Sequence, residues 1–229
     1  MQRLPLPEQF QSIPKRQIDD YVEDDPDKHE GRLRSFPHER GNWVSFVYIP
    51  YKESYDSDLL CDLITDFYLP KLKMRRCEEP HVSLTKTFIL MHHWIDQFIL
   101  SVKSSVKMLP RFQLTFDTIK VYQNEEKNRT FLGLKVNLGN KELLNSLEVL
   151  REPFRDYKLD AFYQDPCFHM SIVWCPGDVK CQIEETLPIL REKVNEFVKN
   201  RGGRNNLCTI FVDYYICKTG YKMYKLQLD

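Results

Sequence analysis

Two histidines in this sequence are each followed, two places on, by a serine: His81-Val82-Ser83 and His169-Met170-Ser171. Both triplets sit in runs that alternate in polarity, HVSLTKTF (81–88) and FHMSIVWC (168–175). Alternation with β-branched content reads as strand, and on a strand residues i and i+2 point to one face. His81 and Ser83 therefore stand side by side, with Thr85 and Thr87 continuing their row, while Val82, Leu84 and Phe88 turn toward a core. In the second run His169 and Ser171 share a face, opposed by Phe168, Met170, Ile172 and Trp174.

The chemistry such a pair suits is acid–base cleavage at phosphate. Histidine titrates near pH ~6.5, so one ring can be neutral while its partner is charged. One ring takes a proton from a nucleophile and the other gives one to a leaving oxygen, each role contributing about 10²–10⁴-fold. The serine hydroxyls can donate to non-bridging phosphate oxygens as charge builds there. RNA brings its own nucleophile, the 2′-OH; attack on the adjacent phosphorus gives a 2′,3′-cyclic phosphate, which the same residues could open with water. A single His-x-Ser would read as a structural histidine; two of them on matching strands favour catalysis. Metal and cofactor are not expected. A catalytic zinc takes about three protein ligands, neither strand carries Asp or Glu beside its histidine, and the adjacent His92 and His93 cannot face one site. Nor does Ser83 or Ser171 sit in a G-x-S-x-G nucleophile elbow.

Elements able to present these rows can be read along the chain. Strand patterns cover 43–50, 81–88, 112–123 with a break near Asp117, 130–137, 168–175, 209–218 and 221–228, the last two forming a hairpin across Thr219-Gly220. Helical spacing covers 57–73, where Pro70 kinks or ends the helix, then 92–109, 141–157 and 179–200. Each half runs strand, helix, His-x-Ser strand, helix, strands, and Trp43 precedes His81 by the interval at which Phe131 precedes His169. The pattern predicts an α+β fold of two pseudo-symmetric lobes, each a mainly antiparallel sheet covered by helices, facing each other across a central cleft. Residues 1–41 read as an irregular, acidic leader, and 42–229 as one bilobal domain with pseudo-repeats of about 42–124 and 130–229.

The totals fit that design. With 229 residues, 42% of them hydrophobic and 13% aromatic, the chain can build a sizeable core. Basic and acidic residues balance at 33 each, so the overall basic excess of a general nucleic-acid binder is missing. KLKMRR (71–76) and KNRGGR (199–204) are the candidate local basic patches, each more often a solvated helix end. Seven cysteines without a C-x-x-C pair predict reduced thiols and a cytosolic or nuclear location. No run approaches the roughly 20 apolar residues of a membrane span.

The paired motifs resemble the signature of the 2H phosphoesterase superfamily. Longer stretches resemble, within it, the RNA exonuclease family that trims the oligouridine tail of U6 small nuclear RNA: GRLRSFPHERGNW (31–43), HVSLTKTFIL with HHWI, KNRTFLGLKV (127–136) and FYQDPCFHMSIVWCPGD (162–178). The resemblance implies a metal-independent 3′–5′ exoribonuclease acting on a U-rich RNA 3′ end. His81 and His169 would be catalytic and Ser83 and Ser171 would bind phosphate. Tyr163, six residues before the second histidine, would stack on a base, a contact that contributes about 1–3 kcal/mol; on the residues alone it reads as a surface tyrosine before a turn. The resemblance also implies a nuclear location, with mitochondria or cytoplasm as alternatives; separately, one two-lobed chain already supplies both half-sites, so a monomer off the membrane is expected. Beside it stand a cyclic phosphodiesterase acting on other RNA ends or small nucleotides, and a nucleotide- or RNA-binding module without turnover.

Overall fold

The structure, a computed structural model, describes residues 39–52, 55–200 and 209–229. The predicted leader lies outside the described residues up to residue 38, as do the RGGRNN loop and most of the basic run 199–204. The chain divides into the units Met1–Asn42 and Trp43–Asp229, and the architecture below is that of the second. In chain order it comprises β1 (Asn42–Pro50), α1 (Tyr55–Tyr68), β2 (Arg75–Arg76), β3 (His81–Ser83) and β4 (Phe88–Met91). A 3-10 turn (His92–Trp94) leads into α2 (Ile95–Val106), β5 (Phe112–Gln123), β6 (Arg129–Val136), α3 (Asn140–Asp156) and β7 (His169–Pro176). Then come α4 (Lys180–Asn200), β8 (Thr209–Val212), β9 (Tyr214–Thr219) and β10 (Lys222–Gln227).

The strands join in one sheet in the order β10-β9-β1-β3-β7-β6-β5-β8, with β4 beside β1 and β2 beside β7. The two His-x-Ser strands are its centre, paired antiparallel with Val82 opposite Met170. Outward from that pair the wings match: β1, β9 and β10 on one side, β6, β5 and β8 on the other. The wings are not the sequence halves 42–124 and 130–229. The hairpin that ends the chain extends the β1 wing, and β5, from the first half, extends the β6 wing.

Among the described residues, helices cover one face only. α2 packs on α3 and against β10, while α1 packs on α4, which lies against β5. Their buried residues recur at helical spacing: Phe98, Val102 and Val106 in α2, Leu143, Leu147, Leu150 and Phe154 in α3, Ile183, Leu187, Leu190 and Val194 in α4. Opposite them the alternate strand residues Val47, Ile49, Val82, Met170, Leu132 and Leu134 are buried. The odd-numbered partners on β3 and on the start of β7 face away from the helices.

Several expectations are corrected. HVSLTKTF is not one strand: β3 ends at Ser83, and the amides of Leu84 and Thr85 both reach the Val47 carbonyl. Thr85 does not continue the histidine row. It is 3% exposed, and its hydroxyl accepts from the Val47 amide at 2.9 Å. The predicted strand 209–218 is two strands, because the chain crosses at Asp213 from the β5 wing to the β1 wing. The helix read over 57–73, which Pro70 is expected to kink or end, does end there, at Tyr68 just before Leu69-Pro70. In KLKMRR, Arg75 and Arg76 pair with β7, and Arg76 is ion-paired to Asp58 and Asp62.

Gly133 marks a close approach of two strands in the sheet. The β6–β7 register shifts between Leu132 and Gly133, leaving Gly133 opposite Ser171. A Cβ on Gly133 would lie 2.8 Å from the Met170 carbonyl oxygen, so the two backbones can approach only because none is there. Gly133→Ala is expected to lower unfolding stability by about 1–3 kcal/mol; an unchanged denaturation midpoint would show that β6 can move aside.

Candidate active site

One registered pair places all four polar residues. With Val82 opposite Met170, the antiparallel register sets His81 across from Ser171 and Ser83 across from His169. All four lie on the face away from the helices; Ser83 is exposed and the others are half-buried. Directly opposed Cβ atoms lie about 4.5–5.5 Å apart and diagonal ones about 7–8 Å. The histidines are the diagonal pair, so their rings flank a gap suited to one tetrahedral phosphate, with a serine beside each.

Both rings are held in the same way. His81 Nδ1 is 2.6 Å from the Glu79 carbonyl oxygen, and His169 Nδ1 is 2.7 Å from the Cys167 carbonyl oxygen, each acceptor two residues earlier in the chain. A carbonyl only accepts, so Nδ1 carries the proton and donates it. Nε2 is then left as the reactive atom in both rings: an acceptor when the ring is neutral, a donor when it is charged. Either ring can serve as base or acid.

Aromatic walls fix the ring planes. Tyr122 lies flat on His169, centroids 3.6 Å apart at 8°. His81 packs against Tyr48 at 4.9 Å and Phe46 at 5.7 Å. Burial pushes both phenols, Tyr48 and Tyr122, above the usual tyrosine range, so neither is a proton carrier near neutrality. Burial also lowers the pKa of both histidines, because it disfavours the charged ring. At His81 the carbonyl bond and the Glu79 carboxylate oppose that shift and Lys218 adds to it; Lys218 and Glu79 are themselves paired at 2.9 Å. At His169 the Cys167 carbonyl opposes it and the charge of His81 adds to it. The two rings therefore repel each other's second proton, which favours one charged and one neutral ring.

Tyr163 is not among these contacts. It is 42% exposed, and Lys86 Nζ sits 4.9 Å from its ring centroid while pairing with Glu125 at 2.9 Å. Sequence reading missed Tyr48, Tyr122, Glu79 and Lys218. The two tyrosines and Lys218 do fall on the outward phase of their strands, but which ring meets which histidine depends on strand pairing across the sheet. Among the described residues no three His, Cys, Asp or Glu come together in a metal-binding group, and no helix is long and apolar enough to cross a membrane.

A single curled antiparallel sheet, helices on one face, and two His-x-Ser strands paired at its centre on the other face are the architecture of a 2H phosphoesterase. Solved structures agree on the fold. Usb1 of Kluyveromyces marxianus superposes with a TM-score of 0.58 at 13% identity, over 81% of this chain and 98% of that one. Escherichia coli LigT in its apo form gives 0.50 at 12% identity, over 82% and 98%. A family model described as HVSL, an uncharacterised conserved protein, matches residues 4–227; its label spells residues 81–84. The mouse protein named U6 snRNA phosphodiesterase 1 is 38% identical over 99% of this chain and 84% of its own length. The human one is 35% identical over 98% and 86%, and that of Drosophila melanogaster 34% over 98% and 81%. The chain belongs to the U6 snRNA phosphodiesterase 1 family.

The asymmetry around His81 can be tested by NMR titration of the ring protons. Both midpoints should lie below the ordinary value of about 6.5. Each ring then costs no stability above that pH; stability falls as pH drops below it, because the unfolded chain protonates first. Glu79→Gln keeps the backbone carbonyl but removes the carboxylate and frees Lys218, so the His81 midpoint should fall further; Lys218→Met should raise it. His169 should move less than His81 in both variants, and only through its coupling to His81. A rise for Glu79→Gln, or an equal movement of His169, would contradict this electrostatic account.

Proposed function

We propose that this chain is a phosphodiesterase that trims the 3′ end of U6 small nuclear RNA, removing uridines one at a time in the 3′–5′ direction without a metal. The observation that carries the reading is that His81 and His169 stand at diagonal positions of one strand pair, each with Nδ1 bonded to the carbonyl two residues back, which leaves both Nε2 atoms free for the gap between them. The scissile phosphate occupies that gap. One Nε2 takes the proton of the 2′-OH on the penultimate ribose, whose oxygen attacks phosphorus. The other Nε2–H protonates the departing 5′-oxygen of the last nucleoside. Ser83 and Ser171 donate to the non-bridging oxygens as negative charge grows. The product end is a 2′,3′-cyclic phosphate; a water held by the same two rings in reversed roles can open it.

Tyr163 offers an exposed ring, backed on one side by Lys86, for a uracil to stack on its other side. One chain supplies both His-x-Ser strands, so a monomer is sufficient, and a small nuclear RNA as substrate supports a nuclear location.

The decisive assay incubates the protein with a short oligouridine in excess EDTA and maps product lengths and end groups. Stepwise 3′ shortening is expected, and a 2′-deoxy sugar at the attacking position should abolish it. His81→Ala and His169→Ala should each lower the rate by at least about 10²-fold while leaving the thermal unfolding midpoint near that of the parent. Ring opening without shortening would identify a cyclic phosphodiesterase instead. Binding without product, or cleavage of the 2′-deoxy substrate, would sink the mechanism.

A further inference from the structure

The two wings of the sheet match in topology but not in charge on the site face. Across β6 from His169 stands Lys135, and across β6 from Ser171 stands Gly133, which faces Lys120 on β5. Directly opposed residues share a face. Lys135 and Lys120 therefore extend the rows of His169 and Ser171 outward along the β6–β5 wing. Both are half-buried, and among the described residues neither makes an ion pair. On the other wing the corresponding rows run from Ser83 to Tyr48 and Ile216 and from His81 to Pro50. The lysines there are engaged: Lys218 is paired with Glu79 at 2.9 Å, and Lys225 Nζ lies 4.1 Å from the Tyr214 ring centroid. One wing thus offers two free cations beside the histidine gap, and the other offers Phe46 and Tyr48, stacked at 5.0 Å.

We propose that Lys120 and Lys135 form a second phosphate site, which holds the phosphodiester one nucleotide upstream of the one being cleaved. This rests on the reading that the histidine gap holds the scissile phosphate of an RNA 3′ end. In 3′ trimming only a nucleoside lies beyond the scissile phosphate, so every further phosphate is upstream. The free positive charge then sets the direction of the strand: the retained chain runs over β6 and β5, and the departing nucleoside faces the aromatic wing. A lysine opposite His169 is a short reach from the next phosphate of an extended strand, and two of them outlast the loss of each terminal nucleoside, so every cycle is positioned alike.

The test is a binding cycle that needs no turnover. A uridine trinucleotide, 2′-O-methylated to block cleavage, is compared with the same molecule carrying an uncharged methylphosphonate at its 5′ linkage, and with the dinucleotide that has no upstream phosphate. For the parent protein the methylphosphonate should weaken binding about tenfold, the size of a charge-assisted contact. In the double variant Lys120→Met, Lys135→Met the trinucleotide should bind about tenfold more weakly, the methylphosphonate should cost nothing more, and the salt dependence of binding should become shallower. The dinucleotide should bind both proteins equally, which reports an intact fold. An equal methylphosphonate penalty in parent and variant, or none in the parent, would overturn the second site. Failure of the parent to trim oligouridine would instead contradict the function proposed above, while this cycle would still report on the lysines.

Discussion

The structure depends on a single strand pairing. β3 is three residues long and meets β7 through Val82 and Met170. That contact is the seam of the sheet, and both of its members are buried under the helices. Because side chains alternate with a period of two, burying this pair obliges His81, Ser83, His169 and Ser171 to emerge together on the other face. A slip of one residue in either strand would bury two of the four and break the gap. The core and the candidate site are therefore specified by the same register.

Local geometry then gives both histidines one hydrogen-bond pattern. Each strand is entered from a segment whose carbonyl, at Glu79 or Cys167, lies against the ring two residues on. The bonds cost no side chain and leave both Nε2 atoms equivalent. What differs between the halves is added by the flanking strands: Tyr122 flat on one ring, Tyr48 and Phe46 inclined to the other, Glu79 and Lys218 near His81, free lysines beyond His169. The pseudo-symmetric pair can carry out a reaction with a direction because its surroundings are not symmetric.

Much of this was legible in the sequence because it rests on period-two patterning. The outward faces of HVS and HMS, the apolar phase beneath them, the break in β5 near Asp117 and the hairpin at Thr219-Gly220 all follow from local rules. What was not legible is set by pairing between distant segments. HVSLTKTF keeps alternating past Ser83, yet Leu84 and Thr85 leave the strand because the Val47 carbonyl competes for their amides. TIFVDYYICK looks like one strand, but its two parts serve opposite wings. Tyr122 and Lys135 are ordinary residues of β5 and β6 until the order of the sheet brings them beside His169.

The central claim is that both rings present Nε2 to one phosphate. Long-range ¹H–¹⁵N correlation of the histidine side chains, recorded well above their titration range, reads the tautomer directly. The account predicts the Nδ1–H form for both His81 and His169, with Nε2 unprotonated. An Nε2–H tautomer at either residue would contradict it, because that ring could not take a proton from the 2′-OH.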